Sequence, residues 1–342
     1  MKPSKYGAHR VIEPQGSLPQ GAKKINNDMN IFDNEILIDV IALNIDSASF
    51  TQINNACEGD EEKIKEMIMG IVEERGKMQN PVTGSGGMLI GTVEKIGENC
   101  ETDLKVGDKI ATLVSLSLTP LKIESINRIA KDIDRVEITG KAILFQSGIY
   151  AKLPEDMTEE LALAALDVAG APAQMAKLVK PGWSVLVLGA AGKSGMMCCY
   201  EAKKRVGPTG KVVAVVRKEE YIAKLKDNGL VDEVVIADAS NAIDVLEKSL
   251  EANDGKEYDM SVNVVNIEGT EMSTILPVKD EGIVYFFSMA TSFTRAALGA
   301  EGVGKDVTMI VGNGYTKDHA AITLEVLRES DKLKKIFEET YL

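Results

Sequence analysis

The sequence predicts an α/β protein in two parts, a small β-barrel or sandwich followed by a doubly wound parallel sheet. Three observations carry that fold class. From residue 34 to about residue 155, short runs of alternating apolar character end on glycine turns. From Pro154 onward, β-branched runs alternate with helical stretches, the order that specifies a parallel sheet covered on both faces. Within that second part, Val185–Gly195 reads V-L-V-L-G-A-A-G-K-S-G, a strand driving into three glycines.

In the first part, Glu35–Leu43 (E-I-L-I-D-V-I-A-L) is strand-like. A helix over Glu61–Arg75 then interrupts the strands. Its Ile64, Met67, Ile68, Ile71 and Val72 recur at helical spacing, and Gly76 ends the pattern. That stripe is either core packing or the underside of a lid. Leu89–Ile96 alternates as a strand closed by Gly97, and Val106–Ile110 is a turn into another strand. Leu113–Ile123 alternates again, with Pro120 at an edge or bulge.

In the second part, a helix over Thr158–Leu166 carries Glu159 and Glu160 in its first turn, where the helix dipole favours anions. Pro181-Gly182 turns the chain into strand Val185–Leu188 and a helix over Met196–Arg205. Strand Val212–Val216, a helix over Glu219–Lys226 and strand Glu233–Ile236 follow. A helix over Ala242–Leu250 and strands Met260–Val265 and Ile283–Phe287 complete the alternation. Residues 318–342 read as two helical pieces.

At the glycine turn, Gly189 permits the sharp bend, Gly192 lets the backbone approach a diphosphate, and Gly195 lets helix pack on strand. Ala190 and Ala191 complete the loop. Lys193 and Ser194 open the helix, whose free N–H groups attract an anion. The bland alternative is a tight strand-to-helix turn with no ligand. About 20 residues further on, NAD-binding folds usually place an acid for the ribose 2′-hydroxyl. Here the strand ends Val216-Arg217-Lys218, and two cations favour the 2′-phosphate of NADP unless both are solvated surface charges. Asn266, Ser288 and Met289 follow later strands, where such folds line the nicotinamide crevice.

Apolar residues make up 44% and charged residues 27% of the 342, an ordinary balance for a chain with two cores. The formal charge of −13 argues against nucleic-acid and anionic-membrane partners, which call for a basic patch. It is compatible with a cationic substrate. Cys57, Cys100, Cys198 and Cys199 show no disulfide or zinc spacing, and His9 and His319 are the only histidines. With no leader-like apolar run and no stretch of transmembrane length, a cytoplasmic location with reduced thiols is expected.

The β-rich first half, the K-V-G-D-K-I turn at Lys105–Ile110 and the later glycine-rich nucleotide fold together resemble the medium-chain dehydrogenase/reductase superfamily. Gly91–Gly97 (G-T-V-E-K-I-G), Leu153–Leu166 and Val185–Gly195 also carry the match, which covers nearly the whole chain. The resemblance implies a chaperonin-10-like catalytic domain over residues 1–160, completed by 305–342, and a Rossmann domain over 161–304. It implies a nicotinamide cofactor, NAD by family habit, and a homodimer. Gly7–Gln20 and Glu35–Ile53 are similar to a branch that oxidatively deaminates a small diamino acid in lysine degradation. A zinc-free quinone or enoyl reductase and a non-catalytic NADPH-binding protein are the competing readings.

Two departures from zinc-dependent relatives imply hydride transfer without a metal. Asp46 stands where they carry a ligand cysteine, and Gly86-Gly87-Met88 stands where they carry glycine-histidine-glutamate. Hydride leaves an amine carbon only from the neutral amine, so some group must take the ammonium proton. Asp46 is the leading candidate; as plain structure it is a side-chain cap in N-I-D-S. Ser47 and Ser49 either hydrogen-bond substrate or terminate the strand. Thr83 and Ser85 in P-V-T-G-S-G-G either border the same cleft or belong to a flexible loop. Asp167 is either the partner of a distal ammonium or a solvated helix-end acid. The expected partner is a small cationic amino acid.

Overall fold

A computed structural model describes residues 3–312 and 314–341. Contacts divide the chain into two compact units, Met1–Glu155 and Asp156–Leu342.

In the first unit, β1 (Val11–Glu13) and β2 (Lys24–Ile25) pair as a small ribbon. The main sheet holds β3 (Glu35–Asn44), β4 (Met88–Ile96), β5 (Lys109–Thr112), β6 (Leu121–Ala130), β7 (Arg135–Phe145) and β8 (Tyr150–Lys152). Its order is β6-β7-β3-β4-β5-β8, antiparallel throughout. Helices α1 (Ser47–Ala56) and α2 (Glu61–Arg75) follow β3. α2 begins where predicted because the Asp60 carboxylate accepts from the Glu62 and Lys63 N–H groups. Its Ile64, Ile68, Ile71 and Val72 join Ile38, Leu43 and Leu121 of the sheet in one core, so the stripe is packing.

The stretch expected as strand Leu113–Ile123 differs. Leu116–Leu118 is a 3₁₀ turn capped by Ser115, and β6 begins only at Leu121, after Pro120. Proline has no N–H to give a ladder, so the strand starts beyond it. The N-terminal segment is tied to β3 by a buried network: Arg10 Nε and its terminal nitrogen donate to the two Glu35 carboxylate oxygens at 2.8 and 2.6 Å. His9 Nε2 lies 2.8 Å from the same carboxylate. Burial pushes the Glu35 carboxyl up, but these partners outweigh it and hold it below its ordinary value.

The second unit opens with α3 (Glu159–Leu166), which starts beside Thr158 as expected and is capped by its side chain, and α4 (Gly170–Leu178). Strands β9 (Ser184–Leu188), β10 (Lys211–Val216), β11 (Glu233–Ile236), β12 (Tyr258–Asn263), β13 (Val278–Phe286) and β14 (Thr308–Val311) form one parallel sheet in the order β11-β10-β9-β12-β13-β14. Helices α5 (Lys193–Val206), α6 (Tyr221–Lys226), α7 (Ala242–Ala252), α8 (Glu271–Ile275) and α9 (Phe293–Val303) make the crossovers, and α10 (His319–Glu329) and α11 (Asp331–Tyr341) end the chain. Val185 and Val187 of β9 face one core, while Leu186 and Leu188 face another, the signature of a sheet covered on both sides. The strand order reverses between β9 and β12, which puts the binding crevice at their carboxyl ends.

Val326, Leu327, Leu333, Ile336 and Phe337 pack into the core around β9 and α5, within the second unit. Cys198 and Cys199 lie fully buried in that core, and burial pushes both thiols well up, away from reactivity.

Candidate functional site

β9 ends in the glycine turn, and the three glycines divide the work by geometry. Gly189 has φ +85°, a conformation that side chains rarely adopt. At Gly195 an added Cβ would fall 2.2 Å from the Gly189 carbonyl, so α5 starts in direct contact with the turn. Gly192 is open: an added Cβ would meet nothing nearer than the Gly189 carbonyl at 3.8 Å. The amides of the first α5 turn (Lys193, Ser194, Gly195) lack helical acceptors and carry the positive end of the helix dipole. Ala190 lies fully buried beneath the turn.

Beside this turn is a cavity of about 440 Å³. Its walls are Gly189, Ala191 and Gly192 of the turn, Val216 at the end of β10 and Arg217 after it, Tyr221 and Lys224 of α6, and Asp238 after β11. Ile267 after β12 and Thr340 and Tyr341 of α11 close it. Burial lowers the Lys224 ammonium pKa below its ordinary value. Asp238 accepts from the Ser240 N–H and hydroxyl at 2.9 and 2.7 Å; these bonds, with the Arg217 charge, hold its carboxyl below its usual value. Tyr221, Lys224, Asp238, Thr340 and Tyr341 were not singled out from the sequence. The pattern Y-x-x-K opening α6 was the one local signal, since it sets both side chains on one helix face.

Lys218 does not belong to this wall. Its Nζ pairs with Glu220 at 3.1 Å on an exposed surface. Asp167 lies at the end of α3 and accepts an ion pair from Lys193 Nζ at 2.7 Å. That places it beside the glycine turn. Asn266 is exposed after β12; Ser288 and Met289 follow β13, where Ser288 Oγ accepts from the Ala290 N–H at 3.1 Å. None of these three lines the cavity, although all stand at carboxyl ends of strands.

The first unit gathers its candidates at one corner, the start of α1. Asp46 is the N-cap: its Oδ1 accepts from the Ser49 N–H at 3.0 Å. Its Oδ2 is buried with no hydrogen-bond partner, and so is Asn44 Oδ1 two residues earlier. Ser49 is fully buried, and its hydroxyl lies 2.5 Å from that of Thr83. Ser85 N–H donates to Thr83 at 3.3 Å, and Asn80 organises the loop by accepting from Val82 and Thr83 N–H and donating to Ser49 O. Asp46, Ser49, Thr83 and Ser85 therefore meet. Ser47 turns away and donates to Asp134 at 2.5 Å, tying α1 to the β6–β7 turn.

At Gly87 φ is +105° and an added Cβ would lie 2.0 Å from Asn44 O. No side chain fits there. Among the described residues no group of three or more His, Cys, Asp or Glu comes together to hold a metal. Among the same residues, no helix is long and apolar enough to cross a membrane.

Residues 9–154 match the family model of the L-erythro-3,5-diaminohexanoate dehydrogenase N-terminal domain. Two relatives with that enzyme name match along their length. The protein of Acetoanaerobium sticklandii is 73% identical over 344 residues, covering 100% of each chain. That of Fusobacterium nucleatum subsp. nucleatum is 71% identical over 343 residues, covering 100% of this chain and 99% of its own. Among solved structures, a quinone oxidoreductase of Pseudomonas syringae pv. Tomato shares the fold at a TM-score of 0.54 and 19% identity, over 89% of this chain and 82% of its own.

Proposed function

The chain belongs to the L-erythro-3,5-diaminohexanoate dehydrogenase family, and from that premise we propose how it performs the reaction. It is an oxidoreductase of the medium-chain dehydrogenase/reductase fold. The C3 amine carbon of a 3,5-diaminohexanoate loses hydride, water replaces the nitrogen, and 5-amino-3-oxohexanoate, ammonia and a reduced dinucleotide leave. The single observation that carries the cofactor half is the cavity beside the open Gly192 backbone and the free amides of α5. A bound nicotinamide ring supplies the hydride acceptor.

The protein's own groups supply the rest. Asp46 Oδ2 and Asn44 Oδ1, buried and unpartnered, accept N–H bonds from a substrate ammonium. The Asp46 carboxylate takes the proton that must leave before the amine lone pair can form a C=N bond. Its Oδ1 stays fixed by the helix cap meanwhile. The paired Ser49 and Thr83 hydroxyls hold the neighbouring loop in place beside it. On the cofactor wall Arg217 and Lys224 set two cations against the single acid Asp238, which favours the 2′-phosphate of NADP.

A second copy of the chain is supported by a separate observation. β14 is an edge strand whose Val311 is 65% exposed, and on the preceding helix α9 Phe293 and Leu298 are 74% and 62% exposed. An apolar edge of that kind is self-complementary across a two-fold axis.

The reaction is tested by supplying 3,5-diaminohexanoate with each oxidised dinucleotide. Reduced dinucleotide and ammonia should appear in equal amounts, whereas a quinone or an enoyl thioester should not be reduced. Reduction of either of those without amine oxidation would replace this reading with a reductase.

A further inference from the structure

The cavity beside the glycine turn is walled on one side by the last turn of the chain. α11 buries Leu333, Ile336 and Phe337 in the core of the second unit, and Phe337 meets Tyr341 edge to face at 5.2 Å between ring centres. That anchorage fixes Thr340 and Tyr341 where the cavity wall needs them. Two lysines reach this turn from the nucleotide side. Lys224 Nζ lies 3.5 Å from Thr340 Oγ1. Lys193, the first residue of α5, sits with Nζ 5.5 Å from the Tyr341 ring centre and 2.7 Å from Asp167 Oδ2.

A lysine on a four-carbon stem samples many rotamers, and ordering it costs binding energy. Its exposed pair with Asp167 contributes little alone, because water screens it. An aromatic face on the other side adds a directional hold. Burial raises the Tyr341 phenol above its ordinary value, so the ring stays uncharged beside an anionic ligand.

We propose that Tyr341 is a positioning residue of the dinucleotide site: with Asp167 it presents Lys193 to the diphosphate at the start of α5. The proposal rests on the dinucleotide reading above. It makes the C-terminal helix part of the cofactor site.

The test is titration of the full-length protein with NADH and NADPH, read by nicotinamide fluorescence, with thermal unfolding as the check on folding. Tyr341→Leu should raise Kd about fivefold to tenfold, while Tyr341→Phe, which keeps the ring, should stay within about twofold of wild type. In a Lys193→Met background the same Tyr341→Leu change should cost less than about twofold, because the group it positions is gone. Tyr341→Met also removes the aromatic face, but its flexible unbranched chain adapts to the space the ring leaves, and it carries the test if the leucine variant misfolds. A folded Tyr341→Leu or Tyr341→Met protein with wild-type Kd overturns the proposal. So does an undiminished penalty in the Lys193→Met background. If wild type binds neither dinucleotide, the cofactor reading falls and takes this one with it. If wild type binds and only the Tyr341 effect is missing, the positioning role alone is lost.

Discussion

Arg217 follows β10 at the place where an acid would bind a ribose 2′-hydroxyl and repel a 2′-phosphate. Its charge faces a cavity that it shares with Lys224 and Asp238. Arg217→Asp should therefore move the ratio of specificity constants from NADP toward NAD by about tenfold or more, the loss of one charge-assisted contact. An unchanged ratio in steady-state kinetics would make Arg217 a surface charge. The position of Arg217 just after β10 was legible because strand ends can be read from the apolar run before them. Adjacent residues look alike in sequence, but Lys218 pairs with Glu220 in solvent while Lys224, one helix onward, reaches the wall. At Asp46 one carboxylate oxygen caps a helix, as its structural reading expects, and the other is left unpartnered.

At the scale of elements, strong periodicity was legible and weak propensity was not. α2 carries an isoleucine stripe and an aspartate cap, and both its ends fall where the sequence put them. α1 was missed because S-A-S-F-T-Q-I-N-N-A is rich in residues that favour turns; its signal was Phe50, Ile53 and Cys57 following a capping aspartate. β7 pairs with both β3 and β6, and it too went unread, since its interior is interrupted by Gly140, Lys141 and Glu137. The lid alternative for α2 has a direct check. Ile68 is fully buried, so Ile68→Ala should destabilise the first unit by about 2–4 kcal/mol in urea unfolding. A lid residue would leave the unfolding midpoint where it was.

At the scale of the whole molecule, the two-part fold class was legible, because strand-turn-strand and strand-helix-strand rhythms differ in period. Where the C-terminal helices pack was not legible, because an amphipathic helix shows that it has a partner and not which one. In the structure Leu333, Ile336 and Phe337 answer that question by joining the core around α5. The dimer proposed on the exposed edge has a direct check: Val311→Lys on β14 should turn it into a monomer in light scattering, and dimers that persist unchanged would move the interface elsewhere.

The proposed chemistry requires a dinucleotide at the bend after β9, so equilibrium titration of wild type and Gly192→Arg with NADH and NADPH is the most direct measurement. Space at Gly192 is open and its side of the turn lines the cavity, so the arginine stem should fill the ligand's place without unfolding the chain. Saturable binding to wild type, lost in a Gly192→Arg protein whose unfolding temperature is unchanged, is the expected result. Equal affinity of the two proteins for both dinucleotides would contradict it.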